Sequence, residues 1–268
     1  MNYLVDILIL TESDTPRAEG IYSLPKLTPG VLYITDSPSI ATALLDRNYP
    51  TVIYSHSENQ NMIFPHTKYV LEDIDEIDDD DLERIYRRVC GIPWDILETK
   101  RLLVRETTLD DIDTLFDLYS HPSITEYMED LFPLREEIDY QRKYIENIYG
   151  LYEIGMWSVL LKDSGQMIGR MGIEYREDSS TVELGFMLGI TYQGYGYAFE
   201  ACTAIIDYAR TIDGVKRIIA NVHKNNTPSV QLCERLGMKC IGQSEHINTN
   251  EKKNKHISDY NVWEYIFD

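Results

Sequence analysis

Residues 184–198 read L-G-F-M-L-G-I-T-Y-Q-G-Y-G-Y-A. An apolar strand pattern runs into a brief loop, then into a glycine-spaced turn that opens an amphipathic helix expected from about Gly196 to Ile212. Gly194 and Gly196 carry no Cβ, so the backbone there can approach an anion closely, and the first helical turn offers N–H groups that lack carbonyl partners. Behind it Ala198, Cys202, Ile205, Ile206, Ala209 and Ile212 share one face, which would seat the helix on a sheet and fix its N-terminus. These are the parts of a phosphate-binding turn. Read as an isolated string, they also make an ordinary strand-to-helix connection.

The flanking sequence decides between the two. Upstream, strand patterns at Met156–Leu161, Gln166–Tyr175 and Thr181–Leu188 are joined by turns at 163–166 and 176–180, which predicts an antiparallel meander. Before them, 110–120 reads as a helix with Ile112, Leu115, Phe116 and Tyr119 on one side, and 134–152 reads as a longer one. Downstream come a strand at 217–222, a helix over 227–236 and strands at 238–243 and 259–267. The polar stretch His246 to Lys255 is expected as an exposed loop or hairpin tip. Asn226 opens the second of these helices in N-T-P-S, a place suited to an N-cap, and capping can coexist with ligand binding. The glycines imitate part of a dinucleotide fingerprint, but the meander and the missing ribose-binding acid argue against that fold.

In this order and spacing, L-E-T-K-R-L-L-V-R-E (97–106), E-L-G-F-M-L (183–188), Q-G-Y-G-Y-A (193–198), N-x-x-S (226–229) and L-G-M (236–238) resemble the GNAT N-acetyltransferase superfamily. The branch resembled is that of the ribosomal-protein alanine acetyltransferases, over about residues 98–268. The resemblance implies acetyl-coenzyme A (acetyl-CoA) as donor and direct transfer of its acetyl group to a primary amine in a ternary complex. It implies that backbone amides of Gln193, Gly194, Tyr195, Gly196, Tyr197 and Ala198 hold the diphosphate. It further implies that Phe186, Met187 and Leu188 pair with the pantetheine arm as an added strand, with Asn226 and Ser229 on the far side. The arm would lie where two neighbouring strands diverge.

Acetyl transfer to an amine needs a neutral nitrogen, oxyanion stabilisation and protonation of the departing thiolate. Glu183 is the expected base, through a water; its other reading is a structural carboxylate bonded to backbone or an arginine. A main-chain N–H near Met187 or Leu188 would hold the oxyanion. Many relatives place a tyrosine acid seven residues after the motif asparagine, where this chain has Cys233; the resemblance to the alanine-acetyltransferase branch suggests Ser229 as the acid. Its hydroxyl can equally bond the helix backbone, and a thiolate can leave unaided. For the acceptor, the resemblance points to Tyr127, Met128, Glu129 and Asp130 and to Trp157, aromatic and carboxylate groups able to receive an ammonium. The tyrosine and tryptophan also suit a core.

The first 95 residues alternate short apolar runs, at Tyr3–Leu10, Val31–Thr35, Thr51–Ser55 and Tyr69–Leu71, with helical patterns. They predict a small α/β domain over 1–95 ahead of the catalytic domain over 96–268, an α/β (α+β) chain overall. Asp36 or Ser37 is a candidate cap for a helix begun by Pro38, and Asp78 to Asp81 a candidate cap for the stripe Leu82, Ile85, Tyr86 and Val89. Residues 94–101 read as the passage between domains. I-T-D-S around Asp36 also suggests a degenerate phosphatase-like unit, but the acidic and basic partners of that chemistry are missing. Covering the acceptor site, recruiting a partner or forming a homodimer interface are the preferred roles.

Lys and Arg total 25 against 45 Asp and Glu, a formal charge of −20 that repels nucleic-acid phosphates and attracts cationic acceptors, while also serving solubility. Tyr3–Leu10 falls well short of the ~20 apolar residues that cross a bilayer, so no membrane partner is expected. Cys90, Cys202, Cys233 and Cys240 lack metal-ligand spacing and read as reduced thiols of a cytoplasmic protein without a metal. A non-catalytic acyl-CoA sensor is the alternative function.

Overall fold

The computed structural model describes residues 3–4, 6–11, 30–74, 76–176, 178–244 and 259–267. They fall into two compact units, Met1–Trp94 and Asp95–Asp268. The stretch 246–255, expected as a loop or hairpin tip, lies outside the described residues.

In the first unit β1 (Asp6–Leu10), β2 (Val31–Thr35), β3 (Thr51–Tyr54) and β4 (Val70–Leu71) form a parallel sheet in that order. Parallel strands must be buried on both faces. Accordingly Leu10 and Tyr33 pack with Ile40 and Leu44 of α1 (Pro38–Leu45), while Leu32, Ile34 and Val52 pack with Leu82 and Tyr86 of α2 (Asp79–Val89). Asp78 caps α2, its carboxylate accepting from the Asp81 N–H at 2.8 Å. Ser37 occupies the N-cap of α1 but caps nothing, because its hydroxyl meets that of Ser39 at 3.0 Å; Asp36 faces His56 instead, at 3.4 Å.

The second unit is an eight-stranded mixed sheet, mostly antiparallel, in the order β11-β12-β10-β9-β8-β7-β6-β5. Its strands are β5 (Asp95–Glu98), β6 (Leu102–Arg105), β7 (Met156–Leu161), β8 (Met167–Tyr175), β9 (Thr181–Leu188), β10 (Arg217–His223), β11 (Lys239–Gln243) and β12 (Tyr260–Ile266). β5 corrects the reading of 94–101 as a simple passage: it pairs antiparallel with β6, and Ile96 and Leu97 pack on the core.

On one face α6 (Tyr197–Thr211) sets Ala201, Cys202, Ile205 and Ala209 against Val182, Leu184 and Leu188. α7 (Thr227–Arg235) adds Leu232 and Cys233 to the same core. On the other face lie α3 (Ile112–Tyr119), the short α4 (Pro122–Thr125) and α5 (Leu134–Tyr144), with Leu115, Leu118 and Ile124 packed on Met167 and Met187. Instead of one long helix over 134–152, α5 passes into a π-helical turn at Ile145–Tyr149 and a last turn at Gly150–Tyr152. Asp111 ties this face together, taking two 2.7 Å bonds from Arg105 and one of 3.0 Å from the Ser158 hydroxyl. Among the described residues, no helix is long and apolar enough to cross a membrane.

Candidate active site

β9 and β10 run parallel but pair only over Thr181–Glu183 and Arg217–Ile219. Beyond Glu183 the strands carry on to Leu188 and His223 with no pairing between them, so they form a V whose apex is Glu183. A cleft of about 560 Å³ opens in this V, a size suited to a small-molecule site. Phe186, Met187 and Leu188 line one wall, and Asn225, Asn226 and Ser229 the other.

At the mouth, Gly194 (φ +83°) and Gly196 (φ +81°) hold the left-handed conformation that glycine adopts without strain. Gly196 is the N-cap of α6, so the N–H groups of the first turn are left without helical acceptors beside the cleft. A Cβ at Gly194 would meet nothing within 4 Å; the open space in front of the turn is what an approaching diphosphate needs. The Gln193 side-chain amide donates to the Leu188 carbonyl at 3.0 Å and ties the turn to the end of β9. Arg101 braces it from behind: one guanidinium N–H donates to the Tyr195 carbonyl at 3.0 Å, another to Glu200 at 2.7 Å, and the group lies 4.3 Å from the Tyr197 ring centroid. Burial raises the Glu200 carboxyl, but the bonds from Thr99 and Arg101 outweigh it and hold the group below its ordinary range.

Of the residues expected to hold the cofactor, Phe186, Met187, Leu188, Gln193, Gly194, Gly196, Tyr197, Ala198, Asn226 and Ser229 all line the cleft. Tyr195 does not; its side chain is 64% exposed and stacks on Tyr197. Asn226 caps α7, its side-chain oxygen accepting from the Ser229 N–H at 3.4 Å. Cys233 is fully buried, with its thiol pushed up to about 12, chiefly by burial. It is not part of the cleft lining, where a tyrosine acid would have to stand.

The acceptor-side expectations divide. Tyr127 and Met128 line the cleft, and the loop that carries them is pinned by the Tyr260 hydroxyl, which donates to the Tyr127 carbonyl at 2.9 Å. Hydrogen bonding to Glu126, with burial second, raises the Tyr127 phenol. Glu126 is the carboxylate on the wall, whereas Glu129 and Asp130 are exposed and outside the lining. Pro122 in H-P-S-I-T-E marks the start of α4, and counting one turn from it would have singled out Glu126. Trp157 was expected at the acceptor; it is instead wholly buried, 5.7 Å from the Tyr208 ring on α6, and lines none of the cleft. Its place in the main hydrophobic cluster claims it for the core. Glu183 sits at the apex with its carboxylate against Arg176, outside the lining. Arg235 and Met171 line the cleft and carry no signal in the sequence that singles them out.

Residues 101–239, just over half of the chain, match the family model described as acetyltransferase (GNAT) domain. The chain belongs to the GNAT acetyltransferase family. The uncharacterized N-acetyltransferase p20 of Bacillus licheniformis is 33% identical over 150 residues, covering 54% of this chain and 83% of that protein. The [ribosomal protein uS5]-alanine N-acetyltransferase of Escherichia coli is 39% identical, but over only 62 residues, 23% of this chain and 32% of that one. Such a short match leaves the expected branch unconfirmed. The crystal structure of a GNAT-family acetyltransferase from Bacillus anthracis superimposes with a TM-score of 0.52 at 22% identity, covering 64% of this GNAT chain and 96% of the other. Family membership makes this an acetyl-CoA-dependent acetyltransferase.

Proposed function

We propose that this GNAT enzyme passes the acetyl group directly to a primary amine while both substrates are bound, with the pantetheine arm in the V between β9 and β10. The observation that carries this is the unpaired edge of β9 at Phe186–Leu188, facing a cleft whose mouth is the N-terminus of α6. Acetyl-CoA supplies a thioester carbonyl, whose C–S bond breaks as the new C–N bond forms. The backbone of residues 186–188 offers the ladder groups that an extended amide chain can complete. N–H groups of the α6 first turn, reached past Gly194 and Gly196, receive the diphosphate. A main-chain N–H at Met187 or Leu188 steadies the oxyanion, and Asn226 and Ser229 border the opposite side.

Glu126 and Tyr127, on the wall of the cleft, receive the incoming ammonium. Glu183, at the closed end of the V, takes the amine proton through a water, and the proton for the thiolate comes from Ser229 or from solvent. An α-amine (pKa ~8) asks less of that base than a lysine amine (~10.4). The four cysteines are free, which agrees with a reducing, cytoplasmic setting.

Thiol release from acetyl-CoA, monitored against a panel of polyamines, amino acids and peptides with free N-termini, tests the reading. Glu183→Gln is expected to lower kcat by about 10²–10⁴ with the acetyl-CoA KM unchanged, and Glu126→Gln to raise the acceptor KM. Tight acetyl-CoA binding with no amine-dependent release would instead favour the sensor.

A further inference from the structure

Arg170, in the middle of β8, is a buried cation without a counter-ion. It is 8% exposed, and among the described residues no carboxylate lies within ion-pair distance of it. Its single hydrogen bond is a long one, 3.3 Å to the Gln141 side-chain oxygen on α5, and its buried Nε has no partner. The carboxylates of this region are committed elsewhere: Glu174 accepts from the Tyr144 hydroxyl, Glu137 from Gln141 and the Phe132 N–H, Glu183 faces Arg176, and Asp111 holds Arg105. Tyr119, Tyr140, Tyr144 and Tyr149 stand close enough for the Arg170 charge to act on their phenols. Burial, the largest influence on all four, raises their phenols, which favours the neutral form beside the guanidinium. The Tyr144 ring, 5.4 Å from the guanidinium carbon, offers a cation–π contact, but in a chain of net charge −20 an arginine with no carboxylate at ion-pair distance still leaves room for an anion from outside.

Its position says where that anion would be. Arg170 is the direct antiparallel partner of Met187, and facing residues of such a pair project to the same side of the sheet. Met187 lines the cleft at the section of β9 assigned above to the thioester. Arg170 and the four rings are not themselves part of the cleft lining; through Met187, Arg170 stands directly beside the cleft on the α3–α5 side of the sheet. The surrounding rings reach solvent at Tyr140, which is 42% exposed.

We propose that Arg170 binds a carboxylate of the acceptor, and that the acceptors are small amines bearing a carboxylate, such as amino acids. The inference rests on the V as the donor site. A planar guanidinium with free N–H groups matches a carboxylate in two-point geometry, and the flanking phenols supply neutral donors and ring faces around it. Arg170 is then a specificity residue of the acceptor pocket.

The test uses acceptors in matched pairs, free amino acids against the corresponding amino-acid amides, assayed by thiol release with the full chain. The wild type is expected to favour the free acids in kcat/KM on the order of 100-fold, since a site built around a polar group rejects an analogue that lacks it. Arg170→Gln should bring that ratio towards one by raising the KM of the acids alone, and Arg170→Lys should restore part of it. Melting temperature and CoA affinity are measured for each variant. Should both variants fail to fold, competition decides: propionate should inhibit the CoA-saturated wild type and propionamide should not. Equal use of acids and amides, preference for amides, acetylation of only carboxylate-free amines, or no discrimination between propionate and propionamide would overturn the inference. Loss of CoA binding in the wild type would instead remove the donor site on which it rests.

Discussion

Asp111 shows how much a single carboxylate holds on the α3–α5 face of the sheet. Burial raises its carboxyl, but the bonds from Arg105, the Thr108 N–H and Ser158 more than offset this and leave it below the usual carboxylate range. A folded-state pKa below the unfolded value stabilises the fold at pH above about 4, and that contribution is lost as the pH falls through the depressed value. Asp111→Ala leaves Arg105, whose side chain is 15% exposed and still donates to the Glu106 carbonyl, without its carboxylate partner and should cost about 3 kcal/mol. At roughly 2–4 °C per kcal/mol this is a fall in Tm that calorimetry reads at pH 7, and the gap to the wild type should narrow below pH 4. Gly194 makes the contrasting case. Because a Cβ there meets no neighbour, Gly194→Val should cost only the strain of positive φ, about 1–2 kcal/mol, yet its side chain would stand in the path of the diphosphate. Titration calorimetry should show CoA affinity falling much further than stability.

Legibility at this scale followed locality. Gly194, Gly196 and Asn226 announce themselves, since positive φ and capping are short-range demands that few residue types meet. Arg170 does not, because what distinguishes it is the absence of an acid from the far side of the sheet, a tertiary fact with no footprint in one strand. Trp157 misled for the reverse reason: an aromatic residue on a strand reads the same whether its face meets a ligand or α6.

Among the elements, β9 and α6 were legible end to end, as an apolar strand and an amphipathic helix separated by glycines. β5 was missed because four residues are too few to show a period, and pairing with β6 rather than pattern makes them a strand. The π turn after α5 was invisible for a similar reason: a single turn is too short for its one-residue shift in phase to stand out from the helical pattern. That turn carries Tyr149 inward, where its hydroxyl donates to the Met156 carbonyl at 2.6 Å and accepts from the Thr107 N–H at 3.1 Å. At α7, Asn226 serves both helix and cleft, and the two duties can be separated. Asn226→Ala should lose about 1 kcal/mol of stability. Asn226→Asp keeps a capping oxygen and so the melting temperature, but adds a negative charge to the cleft wall and should weaken CoA binding, more so at low salt.

For the molecule as a whole, the two units have separate cores, Leu32, Ile34 and Val52 in one and Trp157, Met171 and Ile205 in the other. The GNAT match begins at residue 101, inside the second. We therefore expect residues 95–268 produced alone to fold and to bind CoA with unchanged affinity by calorimetry. Residues 1–94 alone should show no phosphatase activity. A fragment 95–268 that aggregates or loses CoA would place a structural duty on the first unit.

The proposed chemistry requires above all that an amide arm complete the open edge of β9. Residue-resolved hydrogen exchange with and without acetyl-CoA tests this most directly. Slowed exchange at Phe186–Leu188 together with Gly194–Ala198, and no change along the already paired Thr181–Glu183, is the predicted result. Unaltered exchange at Phe186–Leu188 in saturating acetyl-CoA would contradict it.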